Sequence, residues 1–194
     1  MMSSNEGGPP RGARRDRRTG ILDAAAVTLL RHGFRKASVD EVARLAGISR
    51  QGLYQHFPTK DALFSATIDY LLETSIASSR TALEAPGIVL EERILNAFES
   101  MAGGTLVSRL DEILETAERL TGRLAAEMEA EIIAEFTRAL EGTSDSSPWR
   151  RNGDTPESVA IVLYATSAGL KRIASSVPDY LDRMRQAIRF ICNP

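Results

Sequence analysis

Cysteine is nearly absent from this sequence: of 194 residues only Cys192 carries a thiol, so no disulfide and no multi-cysteine zinc site can form within one chain. Histidine is almost as scarce. His32 and His56 are the only two, which argues against a histidine-rich metal site, and neither a metal nor a cofactor is expected. Long apolar runs are missing as well, since none approaches the roughly 20 residues that a bilayer-spanning helix requires. No membrane association is expected. The opening residues carry charge without an apolar stretch behind them, so a secretory signal is not expected and the chain should act in the cytoplasm. Alternating strand patterns bounded by turns and internal repeats are lacking too. The common signatures of catalysis are also missing: no histidine–carboxylate cluster, no G-x-S-x-G, no phosphate-binding glycine loop and no nucleophile beside a base. An enzyme is not expected.

What is present suits a globular protein, with 43% hydrophobic and 26% charged residues and enough length for one medium domain or two small ones. The net charge of −2 conceals a division along the chain. Residues 1–60 hold 11 Lys and Arg against 5 Asp and Glu, whereas the remainder holds 13 against 21. A basic N-terminal third joined to an acidic remainder fits a protein of which one part meets a polyanion, because counterion release rewards cations locally.

The periodicity predicts an all-α chain. Residues 1–13, rich in Gly and Pro, form a flexible basic arm. From Thr19 the apolar residues Ile21, Leu22, Ala25, Ala26, Leu29 and Leu30 recur at helical spacing until Gly33. Ser38-Val39-Asp40-Glu41 fits a capping box, so a second helix runs from there to about Ala46. Ser49 caps a third, short helix through His56, and Phe57-Pro58 stops it. Thr59 caps a fourth helix into the 80s, which Pro86-Gly87 ends. Further helices are expected over 88–102, 106–120 and 124–141, then from Pro156 to about Ser175 and from Pro178 to about Ile191, with residues 142–153 as a loop.

The second and third helices are joined by Ala46-Gly47-Ile48-Ser49, in which glycine accepts a positive φ, Ile48 pins the bend and Ser49 starts the next helix. This is the chemistry of a helix-turn-helix. Together with the basic flank it points to DNA.

The stretch from Ile21 to Ile68 resembles the N-terminal DNA-binding domain of the TetR/AcrR family of bacterial transcriptional regulators. The residues that carry the likeness are Ala24-Ala25, Gly33-Phe34, Val39 through Ala46, Gly47-Ile48-Ser49, Gly52-Leu53-Tyr54-Gln55-His56-Phe57 and Lys60. The resemblance covers about 48 residues. It implies a three-helix DNA-binding domain over 14–60 and a helical effector-binding and dimerisation domain over 61–194. It also implies a homodimer that binds a double-stranded operator, most simply as a repressor released by a small molecule. An effector-free DNA-binding or protein-interaction module is the alternative.

The resemblance places Arg50, Gln51, Tyr54 and His56 on the DNA side of the third helix. Their chemistry permits it, since Arg can donate in pairs to guanine O6 and N7, Gln can pair with adenine, and a Tyr hydroxyl can reach phosphate. The resemblance also implies Ser38 and Lys60, at helix starts, as phosphate contacts, with Ser49, whose helix start offers its dipole to phosphate, and Arg44 as further candidates. Each has a second reading: Ser38 and Ser49 as caps alone, His56 as a helix C-cap, Lys60 and Arg44 as solvated cations. Leu53 and Phe57 read as core, and Tyr54 as either core or contact. Arg11, Arg14, Arg15, Arg17 and Arg18 either reach a minor groove or form a solvated tail.

In the last two helices Ala160, Leu163, Tyr164, Ser167, Leu170 and Ile173 make one apolar face, and Leu181, Met184, Ala187, Ile188 and Ile191 make another. These are the expected dimer faces, with Gly169 alongside; packing within the chain alone is the alternative. Phe98, Met101, Met128, Phe136, Trp149 and Tyr164 are candidates to line an effector pocket, or are plain core.

Overall fold

The computed structural model describes residues 11–102, 116, 119, 125–142 and 148–192. The expected helix over 106–120, the Gly103-Gly104 joint and residues 1–10 of the basic arm lie outside them. Among the described residues the chain is helical: α1 (Arg11–Lys36), α2 (Val39–Leu45), α3 (Arg50–His56), α4 (Lys60–Leu83), α5 (Leu90–Ala102), α6 (Ala125–Glu141), α7 (Pro148–Arg151), α8 (Pro156–Ile173) and α9 (Val177–Cys192). They divide into two compact units between Tyr70 and Leu71. The boundary therefore falls inside α4 and ten residues beyond the expected Lys60. The reason is burial: Leu63, Phe64 and Ile68, at 1% exposure or less, belong to the first core, where Phe64 meets Phe34 edge-on at 5.7 Å.

In the N-terminal unit α1 starts at Arg11, just after Pro10 and earlier than the expected Thr19, because Ala13 and the five arginines are strong helix formers that outweigh Gly12 and Gly20. Gly33 breaks the helix at φ 70°, as its position before Phe34 suggests, and a further turn carries the chain to Lys36. Ile21, Ala25, Leu29, Val42, Leu53 and Phe57 are all nearly inaccessible and supply the core of this unit, with α1 packed on α2 and α2 on α3. The capping box expected at Ser38 does not form. Ser38 occupies the N-cap of α2 without a side-chain hydrogen bond, and Glu41 turns instead to Nε2 of His32, with its oxygens at 3.3 and 3.4 Å.

The C-terminal unit is built on α8, which packs against α6 and α9, while α9 also packs on α5. Thr155 and Ser158 cap α8 reciprocally, at 3.0 and 3.1 Å, with Pro156 in the first turn. Leu95, Phe98, Phe136, Leu140, Trp149, Leu163, Tyr180, Met184 and Ile188 form its core. The expected loop over 142–153 contains α7, because Trp149 is buried in that core and drags a helical turn in with it. No helix of the described residues is long and apolar enough to cross a membrane.

Candidate nucleic-acid interface

The turn between α2 and α3 is set by Gly47, whose φ of 66° lies where L-residues rarely go. Ile48 follows half-buried, its N–H donating to the Ala43 carbonyl at 3.0 Å. Ser49 then caps α3 by accepting from the Gly52 N–H at 3.0 Å. A Cβ on Gly52 would come within 3.3 Å of that hydroxyl oxygen, so glycine there leaves the cap its room. Leu53 and Phe57 anchor the helix in the core, as expected. The opposite side is left to solvent.

That outer side carries Arg50, Gln51 and Gln55 exposed, with Tyr54 and His56 half-buried beside them. Nη1 of Arg50 donates to both carboxylate oxygens of Asp40, at 3.0 and 2.9 Å, and Nη2 lies 3.5 Å from the Tyr54 hydroxyl. The guanidinium also sits 5.6 Å from the centre of the Tyr54 ring. Hydrogen bonding to Tyr54 and the Asp40 carboxylate hold Arg50 above its already high pKa, so it is a permanent cation. Sequence reasoning missed Asp40 and Gln55. Gln55 was accessible to it, being four residues after Gln51 and hence on the same face. Asp40 was not, because its partner lies across a turn.

Ser38 and Arg44 are exposed on the α2 side. Ser38 does not spend its hydroxyl on a cap, whereas Ser49 does. Lys60 begins α4 half-buried, its Nζ 4.9 Å from the Phe34 ring centre and 3.5 Å from the Arg35 carbonyl. Arg18 stacks on Phe57 at 4.4 Å, which places at least one arginine of the N-terminal segment at the C-terminal end of α3.

The C-terminal candidates divide. Phe98, Met101, Phe136 and Trp149 belong to one core cluster, with the rings of Phe98 and Phe136 stacked at 4.5 Å. Met128 and Tyr164 remain half-buried. Burial and the nearby Glu129 raise the Tyr164 pKa, so its hydroxyl stays a neutral donor. The faces expected to meet a second subunit are largely spent within the chain: Ala160, Leu163, Ser167, Met184 and Ile188 are all 2% exposed or less. Ile173, counted on the same face, is 65% exposed. The apolar side of α8 that solvent reaches runs instead through Ile161, Val162, Ala165, Gly169 and Ile173. Cys192 is buried, and burial pushes its thiol up to about 12, so it is a poor nucleophile.

Residues 21–67 match the family model for bacterial regulatory proteins of the tetR family. The chain is 28% identical over 155 residues to the HTH-type transcriptional regulator RutR of Escherichia coli K12, covering 76% of this chain and 70% of RutR. Over 80 residues it is 39% identical to the HTH-type transcriptional activator FasR of Mycolicibacterium smegmatis, covering 40% of this chain and 36% of FasR. Among solved structures, the reduced form of E. coli NemR has the same fold, with a TM-score of 0.67 at 19% identity over 90% of this chain and 96% of that one.

Proposed function

We propose that this chain, whose residues 21–67 match the tetR-family model, is a regulator of that family: a homodimeric repressor that binds a palindromic operator and leaves it when a small-molecule effector binds. The observation that carries this reading is the division of α3 into a buried side, Leu53 and Phe57, and an outer side of Arg50, Gln51, Tyr54 and Gln55. A helix anchored in this way presents hydrogen-bonding side chains at the width of a DNA major groove. Arg50 and Gln51 read base edges. Ser38, Arg44, Ser49, Tyr54, His56 and Lys60 hold the sugar–phosphate backbone, and Arg18 adds charge beside them.

The exposed apolar side of α8 supports pairing with a second copy, and a two-fold pair carries two copies of α3 to half-sites about one DNA turn, or roughly 34 Å, apart. The effector binds in the C-terminal domain. Phe98, Met101, Phe136 and Trp149 form closed core there, so it enters on the side of α6 and α8 where Met128 and Tyr164 are still reachable. Helix α4 begins in one unit and ends in the other, and an effector that favours one setting of α4 over another changes operator affinity by that difference.

The test is a titration with duplex DNA from the region flanking the coding sequence. Binding should weaken steeply as salt rises, with a slope that reports several neutralised phosphates. Arg50→Ala should relax sequence preference by about 1–3 kcal/mol, whereas Lys60→Ala should weaken every sequence alike. Equal losses on every sequence from both variants would refute this division of roles, and no binding at low salt would refute the reading itself.

A further inference from the structure

We propose that Asp40 is a positioning residue for Arg50: it occupies one end of the guanidinium so that the other edge is offered to a guanine rather than to a phosphate. The inference rests on the DNA-binding reading and adds a determinant of its specificity.

The geometry is specific. Both Asp40 oxygens are taken by the single nitrogen Nη1, at 3.0 and 2.9 Å, instead of being shared between two nitrogens. An arginine has two edges able to make a pair of parallel hydrogen bonds, the end-on edge of Nη1 with Nη2 and the side-on edge of Nε with Nη2. A carboxylate on Nη1 spends the first. The second remains, and two parallel donors are what guanine O6 and N7 accept. The Tyr54 ring, 5.6 Å from the guanidinium carbon, flanks the same group and its hydroxyl lies 3.5 Å from Nη2. Asp40 comes from α2, Arg50 and Tyr54 from α3, and the turn at Gly47 brings them together.

Electrostatics argues for the same role. The strongest competitor for an unrestrained arginine beside DNA is the phosphate backbone, which rewards any cation and carries no sequence information. A carboxylate beside Arg50 offsets that pull and itself repels phosphate. The pair therefore gives up non-selective affinity and gains discrimination. Both side chains are more than half exposed, at 59% and 64%, so the ion pair adds little to folding and removing it should leave the domain intact.

The experiment selects duplexes from a randomised pool with the full-length chain and its variants Asp40→Asn, Arg50→Ala, Arg50→Lys and the double variant Asp40→Asn/Arg50→Ala. The wild type should enrich a guanine at one position in each half-site. Asp40→Asn should lower that enrichment about tenfold, the scale of one paired base contact, while binding of random duplex tightens a few-fold. Arg50→Lys keeps the charge but lacks the planar pair of donors, and should weaken the guanine preference with Asp40 still present. In the Arg50→Ala background Asp40→Asn should alter no base preference. Unchanged enrichment in Asp40→Asn, or a guanine preference that survives Arg50→Ala, overturns the proposal. A wild type that enriches no sequence overturns the DNA-binding reading instead. Melting curves of each variant identify any loss that comes from unfolding.

Discussion

The hydroxyls of Ser167 on α8 and Tyr180 on α9 lie 2.8 Å apart inside the C-terminal core, where neither residue is more than 2% exposed. Two polar groups from adjacent helices thus satisfy each other where water cannot. The costs of breaking the pair are unequal. Ser167→Ala strands the Tyr180 hydroxyl in an apolar core and should destabilise the domain by about 1–3 kcal/mol. In Tyr180→Phe the remaining serine can turn its hydroxyl to a carbonyl one helical turn back, so the loss should be nearer about 1 kcal/mol. Urea unfolding midpoints should rank wild type above Tyr180→Phe above Ser167→Ala. Burial pushes the Tyr180 pKa from 10 up to about 12, with the Ser167 contact acting in the opposite direction. A phenol whose folded pKa is raised contributes stability below its unfolded value and loses it as pH climbs from 10 to 12. Tyr180→Phe should therefore flatten that part of the alkaline limb.

Glu135 gives the opposite dependence at acid pH. It is 6% exposed, accepts from Nε of Arg80 at 3.2 Å and from the second Arg80 nitrogen, and is paired with Arg138. Hydrogen bonding to Arg80 is the main cause that holds its pKa below the ordinary value, against a burial cost that works the other way. A depressed carboxylate contributes stability above its unfolded pKa and loses it as pH falls through the folded one. Both arginines are about half exposed, so Glu135→Gln should cost only about 1–2 kcal/mol at neutral pH. The difference from wild type should shrink below about pH 4.5, the ordinary value, in thermal melts across pH 3–7. A constant difference would mean that shape, not charge, sets the cost.

Gly47 tests the turn by backbone alone. A Cβ built there meets nothing within 4 Å, so the φ of 66° is the whole penalty of a substitution. Gly47→Ala should cost about 1–2 kcal/mol, and Gly47→Asn less, because asparagine tolerates the left-handed region. A melting series on the three chains checks the order. If alanine and asparagine cost the same, the strain argument fails.

Local chemistry explains which features were legible in the sequence. The bend at Gly47, the cap at Ser49, the stop at Phe57-Pro58 and the start at Thr59 each depend on neighbours within four residues, and each is found where its residue type implies. Features that need a distant partner were not legible. Ser38 and Glu41 have the spacing of a capping box, but His32, on a different helix, draws Glu41 away. Trp149 sits in a polar run, and only the core it fills explains the turn of helix around it. The Asp40–Arg50 pair spans a turn with no periodicity to announce it. Apolar spacing on α8 and α9 was plain, yet spacing does not say whether a stripe faces its own chain or a second copy.

Helix α8 is apolar on two sides: Ala160, Leu163 and Ser167 close the domain's own core, while Ile161, Val162 and Ile173 are 46%, 48% and 65% exposed. Gly169 and Ala165 lie on the same outer side as these three, so another backbone can approach it closely. An apolar stripe left in water gains about 25 cal/mol for each Å² that a second copy covers. Arginine at an exposed position costs the isolated chain little, but across a two-fold axis it meets its own copy and leaves both charges short of water. Val162→Arg should therefore convert a dimer to a monomer by sedimentation at micromolar concentration, with helical content unchanged. Leu163→Arg, one residue on but facing inward, should unfold the domain instead. The monomer should also lose operator affinity far beyond any local effect, because one α3 reaches only one half-site. A Val162→Arg chain that remains dimeric would place the partner surface elsewhere.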